Sequence, residues 1–261
     1  IVAMLGEDCE FMGEGASRTE LGLPGVQQEL LEALVATGKP VVLVLATGRP
    51  LVLSWADRHV AAIVQTFHGG TEGRVAIADV LAGKVNPSGR TPMSFPRSVG
   101  QIPVYYDHLP TGRPQQIRQR YESIYMDEKN EPLYPFGFGL SYSRFSYANL
   151  RVEQARVPMD GFVEASVDVT NLGARDGQEV VQLYVRQPIA SRSRPVRELK
   201  AFEKVAIAAG ETRRVRLRVA ASRLGFHDDA GRYHIEHGAF ELYLGGSSAA
   251  SLKAGFVLTK S

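Results

Sequence analysis

The sequence predicts an α/β fold class: a parallel α/β sandwich domain followed by an antiparallel β-sandwich. Three observations predict it. Residues 1–83 alternate short apolar runs with amphipathic stretches, as strands and helices do around a parallel sheet with right-handed crossovers. Beyond about residue 145 the pattern switches to period-two alternation punctuated by turn residues. The 261 residues, 44% hydrophobic and 22% charged, have the composition of a folded chain long enough for two cores.

In order, Ile1-Val2-Ala3-Met4-Leu5 reads as a buried strand, and a strand at the very start is expected of a piece cut from a longer chain. A polar, glycine-containing loop spans Gly6 to Leu23. Pro24 is expected to open a helix with Val26, Leu30, Leu31, Leu34 and Val35 on one face, ended by Gly38. Pro40 to Ala46, a continuous Val/Leu run, reads as a parallel strand buried on both faces. A short amphipathic piece covers Leu51 to Arg58, Val60 to Phe67 is a further buried strand, and Thr71 to Leu81 a further helix ending at Gly83.

Val163, Ala165, Val167 and Val169 alternate with polar residues, and similar runs occur at Val181–Val185, Val215–Val219 and Phe240–Leu244. Asn171-Leu172-Gly173, Ala209-Gly210 and Asp228–Gly231 supply turns between them. This spacing fits a sandwich of the fibronectin type III kind. Between the halves lies a stretch rich in Pro, Gly and Tyr, too long for an ordinary connection. The expected organisation is therefore 1–97 for the α/β domain, 98–144 for a wrapping segment and 145–261 for the sandwich.

Several function classes are unsupported. The net charge of +2 is small, and Arg213, Arg214, Arg216 and Arg218 alternate with apolar residues as the solvated face of a strand, not a nucleic-acid footprint. No apolar run reaches the roughly 18 residues of a membrane span, and no signal peptide is visible. A single Cys9 can form neither an intrachain disulfide nor a cysteine metal cluster. His234-x-x-His237 has ligand-like residues but no third partner nearby. There is no G-x-S-x-G elbow, and Gly13-x-Gly15 lacks the rest of a dinucleotide fingerprint.

Ligands of an open parallel sheet bind beyond the carboxyl ends of its strands. Those ends are followed here by Gly6-Glu7, by Gly48 and by His68-Gly69-Gly70. The first loop is the longest and holds Glu7, Asp8, Glu10, Glu14 and Glu20, with Arg18 nearby. Spacing alone leaves open which acid is a general acid/base and which are simply solvated. Trp55, on a short amphipathic helix, is expected to pack in the core and not to serve as a ligand-stacking platform.

Gly13-Glu14-Gly15-Ala16-Ser17-Arg18, followed by Leu21–Gln27, resembles the acid/base loop of glycoside hydrolase family 3. Gly38–Leu45, Gly48-Arg49-Pro50, Gly69–Gly73 and Ala78–Leu81 resemble further stretches of that family in order. Asn86–Pro96 and Tyr134–Tyr142 are the most specific, while Asn171-Leu172-Gly173 and Glu198–Lys204 resemble its fibronectin-like domain. Val99–Tyr106 and Thr111-Gly112-Arg113-Pro114 are most similar to the bacterial periplasmic β-glucosidase branch.

The resemblance implies a retaining exo-acting β-glucosidase, with two carboxylates about 5–5.5 Å apart across the scissile bond. It implies an Asp nucleophile on an N-terminal (β/α)8 barrel that no segment of this chain resembles. It selects Glu14 as general acid/base, with Glu7 the second choice and a structural carboxylate otherwise, and Arg18 as a substrate-side or loop-tuning residue, with a structural salt bridge as its equal alternative. Expected partners are a β-glucoside or cello-oligosaccharide and the barrel portion, with no cofactor required. A homodimer in which Tyr105 to Asn130 borders a neighbouring subunit's site is a further expectation, as is a periplasmic or secreted location. The isolated chain is expected to be inactive. A β-xylosidase or exo-glucanase, and a non-catalytic carbohydrate-binding or scaffold module, are the alternatives; the Tyr/Phe cluster of Tyr134 to Tyr142 is expected to lock the wrapping segment onto the sandwich.

Overall fold

The computed structural model describes residues 1–113 and 121–260. Pro114 of the Thr111–Pro114 motif, and residues 114–120 of both the wrapping segment and the subunit-bordering stretch, lie outside the described residues. The chain divides into two compact units. The first comprises Ile1–Val85, Met93–Val104 and Tyr125–Tyr134; the second comprises Asn86–Pro92, Tyr105–Ile124 and Pro135–Ser261. No helix among the described residues is long and apolar enough to cross a membrane.

The first unit holds strands β1 (Val2–Gly6), β2 (Val42–Ala46) and β3 (Ala62–Gln65) with helices α1 (Gln27–Ala36), α2 (Ser54–His59) and α3 (Gly73–Leu81). The strands form one parallel sheet in the order β1-β2-β3, with Val2 opposite Val42 and Val44 opposite Val64. As the central strand, β2 buries Leu43, Val44 and Leu45 almost completely, which is why it reads as an unbroken apolar run. Leu31, Leu51, Leu53, Ala56 and Phe95 complete the core, with Trp55 packed against it and stacked on His59.

Two expectations need correction here. The first strand is not buried on both faces within this chain: Ala3 is buried while Val2 and Met4, on the opposite face, are 58% and 61% exposed. The first helix starts at Gln27 and not at Pro24, because Gly25 takes φ +55°, outside helical geometry. Its inward stripe is Leu31 with Leu34 and Val35, while Val26 and Leu30, rotated well away from Leu31 at 100° per residue, stay exposed. Gly38, at φ +73°, ends the helix as expected.

The second unit is an antiparallel sandwich. One sheet holds β4 (Phe145–Val152), β6 (Phe162–Asn171) and β9 (Thr212–Ala220) in the order β4-β6-β9. The other holds β5 (Arg156–Pro158), β7 (Gly177–Arg186), β8 (Glu198–Ile207), β12 (Gly238–Gly245) and β13 (Leu252–Thr259) in the order β5-β13-β12-β7-β8. A small hairpin pairs β10 (Phe226–His227) with β11 (Tyr233–His234). The single departure from antiparallel pairing among these ladders is β5 against β13. The inward residues of β6, β7, β9 and β12 form one core, including Val167, Leu183, Leu217 and Leu242.

The arginines of β9 face outward, as expected. Arg214 pairs across the ladder with Asp168 and Arg218 with Glu164, so they are cross-strand ion-pair partners. The aromatic cluster of residues 134–142 divides between the units. Tyr134 packs edge-on against Phe95 and donates to Asp57 in the first unit, whereas Phe136 stacks on Tyr106 beside Tyr184 in the second. His234 uses Nε2 on the carboxylate of Asp228, 2.7 Å away.

Candidate functional site

At the carboxyl end of β1 the backbone turns at Gly6, whose φ is +144°. A side chain there would bring Cβ to 2.1 Å from the Ala46 carbonyl, so β1 and β2 stay paired up to this point only with glycine. Gln27, at the start of α1, donates to the Gly6 carbonyl at 2.9 Å and accepts its N–H at 2.8 Å. The residue that follows is therefore aimed by two elements at once.

That residue is Glu7, whose side chain is fully buried. One oxygen, Oε1, accepts from Arg18 Nη1 at 2.7 Å and lies 3.1 Å from Arg49 Nε; the other accepts from the Gly48 N–H at 3.2 Å. A buried carboxylate requires such compensation. Its position after β1, with Arg49 and Gly48 just after β2, ties two strand ends together.

Arg18 also donates to the Gly22 carbonyl at 3.1 Å and sits over the Phe11 ring. Arg49 uses Nη2 on two carbonyls, that of Phe11 and, at 3.1 Å, that of Ala16. Thr47 Oγ1 donates to the Arg49 carbonyl at 2.9 Å and accepts from Gln65 Nε2 at 2.9 Å, which brings in the end of β3. The buried Gln65 Oε1 has no hydrogen-bond partner among the described residues.

Glu14 stands between the two carbonyls gripped by Arg49. It is exposed, and among the described residues it has no hydrogen bond or ion pair. Gly13 and Gly15 flank it at φ +108° and +79°, with open space where side chains would be. The only bonds within this turn run from the Ala16 N–H to Gly13 O and from the Ser17 N–H to Gly15 O. Asp8, by contrast, caps the short turn Cys9–Phe11 through the Glu10 N–H. An open depression next to this loop is lined by Met12, Ser17, Arg18, Leu21, Arg49 and His68, among others. Among the described residues no three His, Cys, Asp or Glu side chains gather as metal ligands.

Of the residues singled out in the sequence, then, Glu7 and Arg18 meet directly, and Glu14 projects alone. Arg49, Thr47, Gln27 and Gln65 are bonded neighbours of this loop that sequence reasoning passed over as site residues. The available signal was position: Arg49 follows the glycine at the carboxyl end of the central strand.

A family model for the glycosyl hydrolase family 3 C-terminal domain matches residues 1–142, and one for a fibronectin type III-like domain matches residues 179–248. The chain is 47% identical over 260 residues to a periplasmic beta-glucosidase of Salmonella typhimurium, covering 99% of this chain and 34% of that protein. It is 39% identical to a beta-xylosidase of Formosa agariphila, covering 96% of this chain and 34% of that one. Among solved structures, a beta-glucosidase from Listeria innocua in complex with glucose superposes with a TM-score of 0.93 at 39% identity, covering 98% of this chain and 36% of that chain. The chain thus spans about a third of the length of the curated relatives it matches.

Proposed function

The chain belongs to glycosyl hydrolase family 3, and we propose that it is the C-terminal portion of a retaining exo-acting β-glucosidase, with Glu14 as the general acid/base. The observation that carries this reading is the contrast between two carboxylates of one loop: Glu14 exposed and uncommitted, Glu7 buried and fully bonded. A group that must give up and recover a proton at the substrate needs access; Glu7 has none.

In the proposed reaction the nucleophile is an Asp of an N-terminal (β/α)8 barrel on the longer polypeptide. It attacks the anomeric carbon while protonated Glu14 gives its proton to the departing glycosidic oxygen. Glu14, now a carboxylate, removes a proton from the water that releases the sugar. Terminal β-D-glucosyl residues of β-glucosides and cello-oligosaccharides are the proposed substrates. The 39% identity to a beta-xylosidase favours xylosides as the second reading. A periplasmic or secreted location accords with the 47%-identical relative. A dimer in which residues 105–130 border a second subunit's site belongs to this proposal as well.

The test is aryl β-glucoside hydrolysis by the complete polypeptide and its Glu14→Ala variant, with and without azide. The expected loss is about 10²–10⁴-fold, largest for poor leaving groups. Azide should raise the variant's rate and yield a β-glucosyl azide, since it attacks without proton removal. Wild-type rates in Glu14→Ala would rule the assignment out.

A further inference from the structure

Resting on the acid/base reading of Glu14, we propose that Arg49 is a positioning residue of the reaction: its guanidinium, oriented by Glu7, holds both stems of the segment that carries Glu14. Phe11 lies three residues before Glu14 and Ala16 two after it, and Nη2 of Arg49 donates to the carbonyls of both. One nitrogen therefore draws the two stems of the loop together. Nε of the same planar group faces Glu7 Oε1 at 3.1 Å, so rotation that would release the carbonyls also breaks the contact with a buried carboxylate.

Among the described residues no other side chain hydrogen-bonds to both stems; the stacking of Arg18 on the Phe11 ring is the one further contact across the loop. Both neighbours of Glu14 are glycines at positive φ with open space around them, and the turn contains only two backbone hydrogen bonds. Arg49, in contrast, is anchored at its own backbone through Thr47 and Gln65, beside the rigid end of the central strand. Arg18 secures the far part of the loop by bonding Glu7 and Gly22. Lysine cannot substitute here, because a single ammonium lacks the fixed fork that reaches a carboxylate on one side and two carbonyls on the other.

The experiment uses the complete polypeptide with Arg49→Lys, Arg49→Met and, as a reference, Glu14→Ala. One readout is native-state cleavage after Glu14 by a glutamate-specific endoprotease; the other is hydrolysis of aryl β-glucosides over a series of leaving groups, with and without azide. Arg49→Lys, which keeps the charge, is expected to accelerate cleavage about tenfold or more. It should lower kcat for poor leaving groups by up to about 10²-fold, the cost of misplacing a reacting group by an ångström, with KM unchanged or lower and partial recovery in azide. A purely structural arginine would lower melting temperature without changing the leaving-group dependence or creating an azide response.

Wild-type cleavage in both Arg49 variants overturns the proposal, as does faster cleavage with wild-type leaving-group dependence and no azide effect. Glu14→Ala decides the underlying reading separately: if it alone keeps wild-type kinetics, the acid/base assignment falls, and the positioning role falls with it.

Discussion

Glu7 and Glu14 are the same residue type on the same loop, yet one is committed to two arginines and an N–H and the other to nothing among the described residues. A second buried acid, Glu179, is bonded in a similar way in the sandwich. Its carboxylate accepts from Arg90 and, at 2.7 Å, from the Tyr147 hydroxyl. Burial, and next the charge of Glu179, hold the Tyr147 phenol well above its usual range. Burial does the same for Tyr184 and, with Asp57, for Tyr134. A folded-state value above the unfolded one means that the stabilisation is intact below pH about 10 and is lost as pH rises past it. The melting temperature should therefore fall between pH 9 and 11, and fall less steeply in Tyr147→Phe. At pH 7 that variant should lose about 1–3 kcal/mol, because a buried carboxylate oxygen is left without its donor; urea unfolding measures it.

Those residue-level roles were unevenly legible. The motif around Glu14 could be read through its resemblance to a family, but spacing alone gave Glu7 and Glu14 equal standing. Burial separates them, and burial depends on Arg18 and Arg49 converging from distant positions. Arg49 itself acts on main-chain carbonyls, which every residue possesses, so its partners leave no trace in residue type.

At the scale of elements, the strands and helices near the site were placed within a few residues by periodicity, because a central parallel strand must be apolar on both faces. Periodicity could not tell that one face of β1 is left open in this chain, since a strand with Val2 and Met4 outward has the same composition as a covered one. The most demanding junction is Gly6, where positive φ coincides with close approach of β2. Gly6→Ala should destabilise the complete polypeptide by well over about 1 kcal/mol, since strain at φ above zero adds to a backbone clash. Gly210→Ala, at φ +74° in open space, carries only the strain and should cost less. Denaturant midpoints of the two variants check the order.

At the scale of the molecule, the chain weaves its two units together in sequence: residues 86–92 belong to the sandwich unit, 93–104 to the α/β unit and 125–134 to the α/β unit again. Sequence patterning sees two domains and a wrapping segment between them, because these short pieces lack periodicity of their own. Their membership comes from pairings such as Phe95 with Tyr134, and Thr91 with Phe138. Under the proposed function this chain holds one of two essential carboxylates. The 261-residue chain alone should show no turnover of an aryl β-glucoside, and adding the barrel portion should restore it; turnover without the barrel would contradict the two-part site.

The grip of Arg49 on carbonyls, not on side chains, leaves the wording of the loop free while its shape is kept. Met12 and Ser17, which line the depression, can in principle be respelled without loosening the two stems. A library randomised at those positions would then vary what borders the acid while leaving the acid where it stands, which makes this loop a natural cassette for evolving new preferences on an unchanged frame.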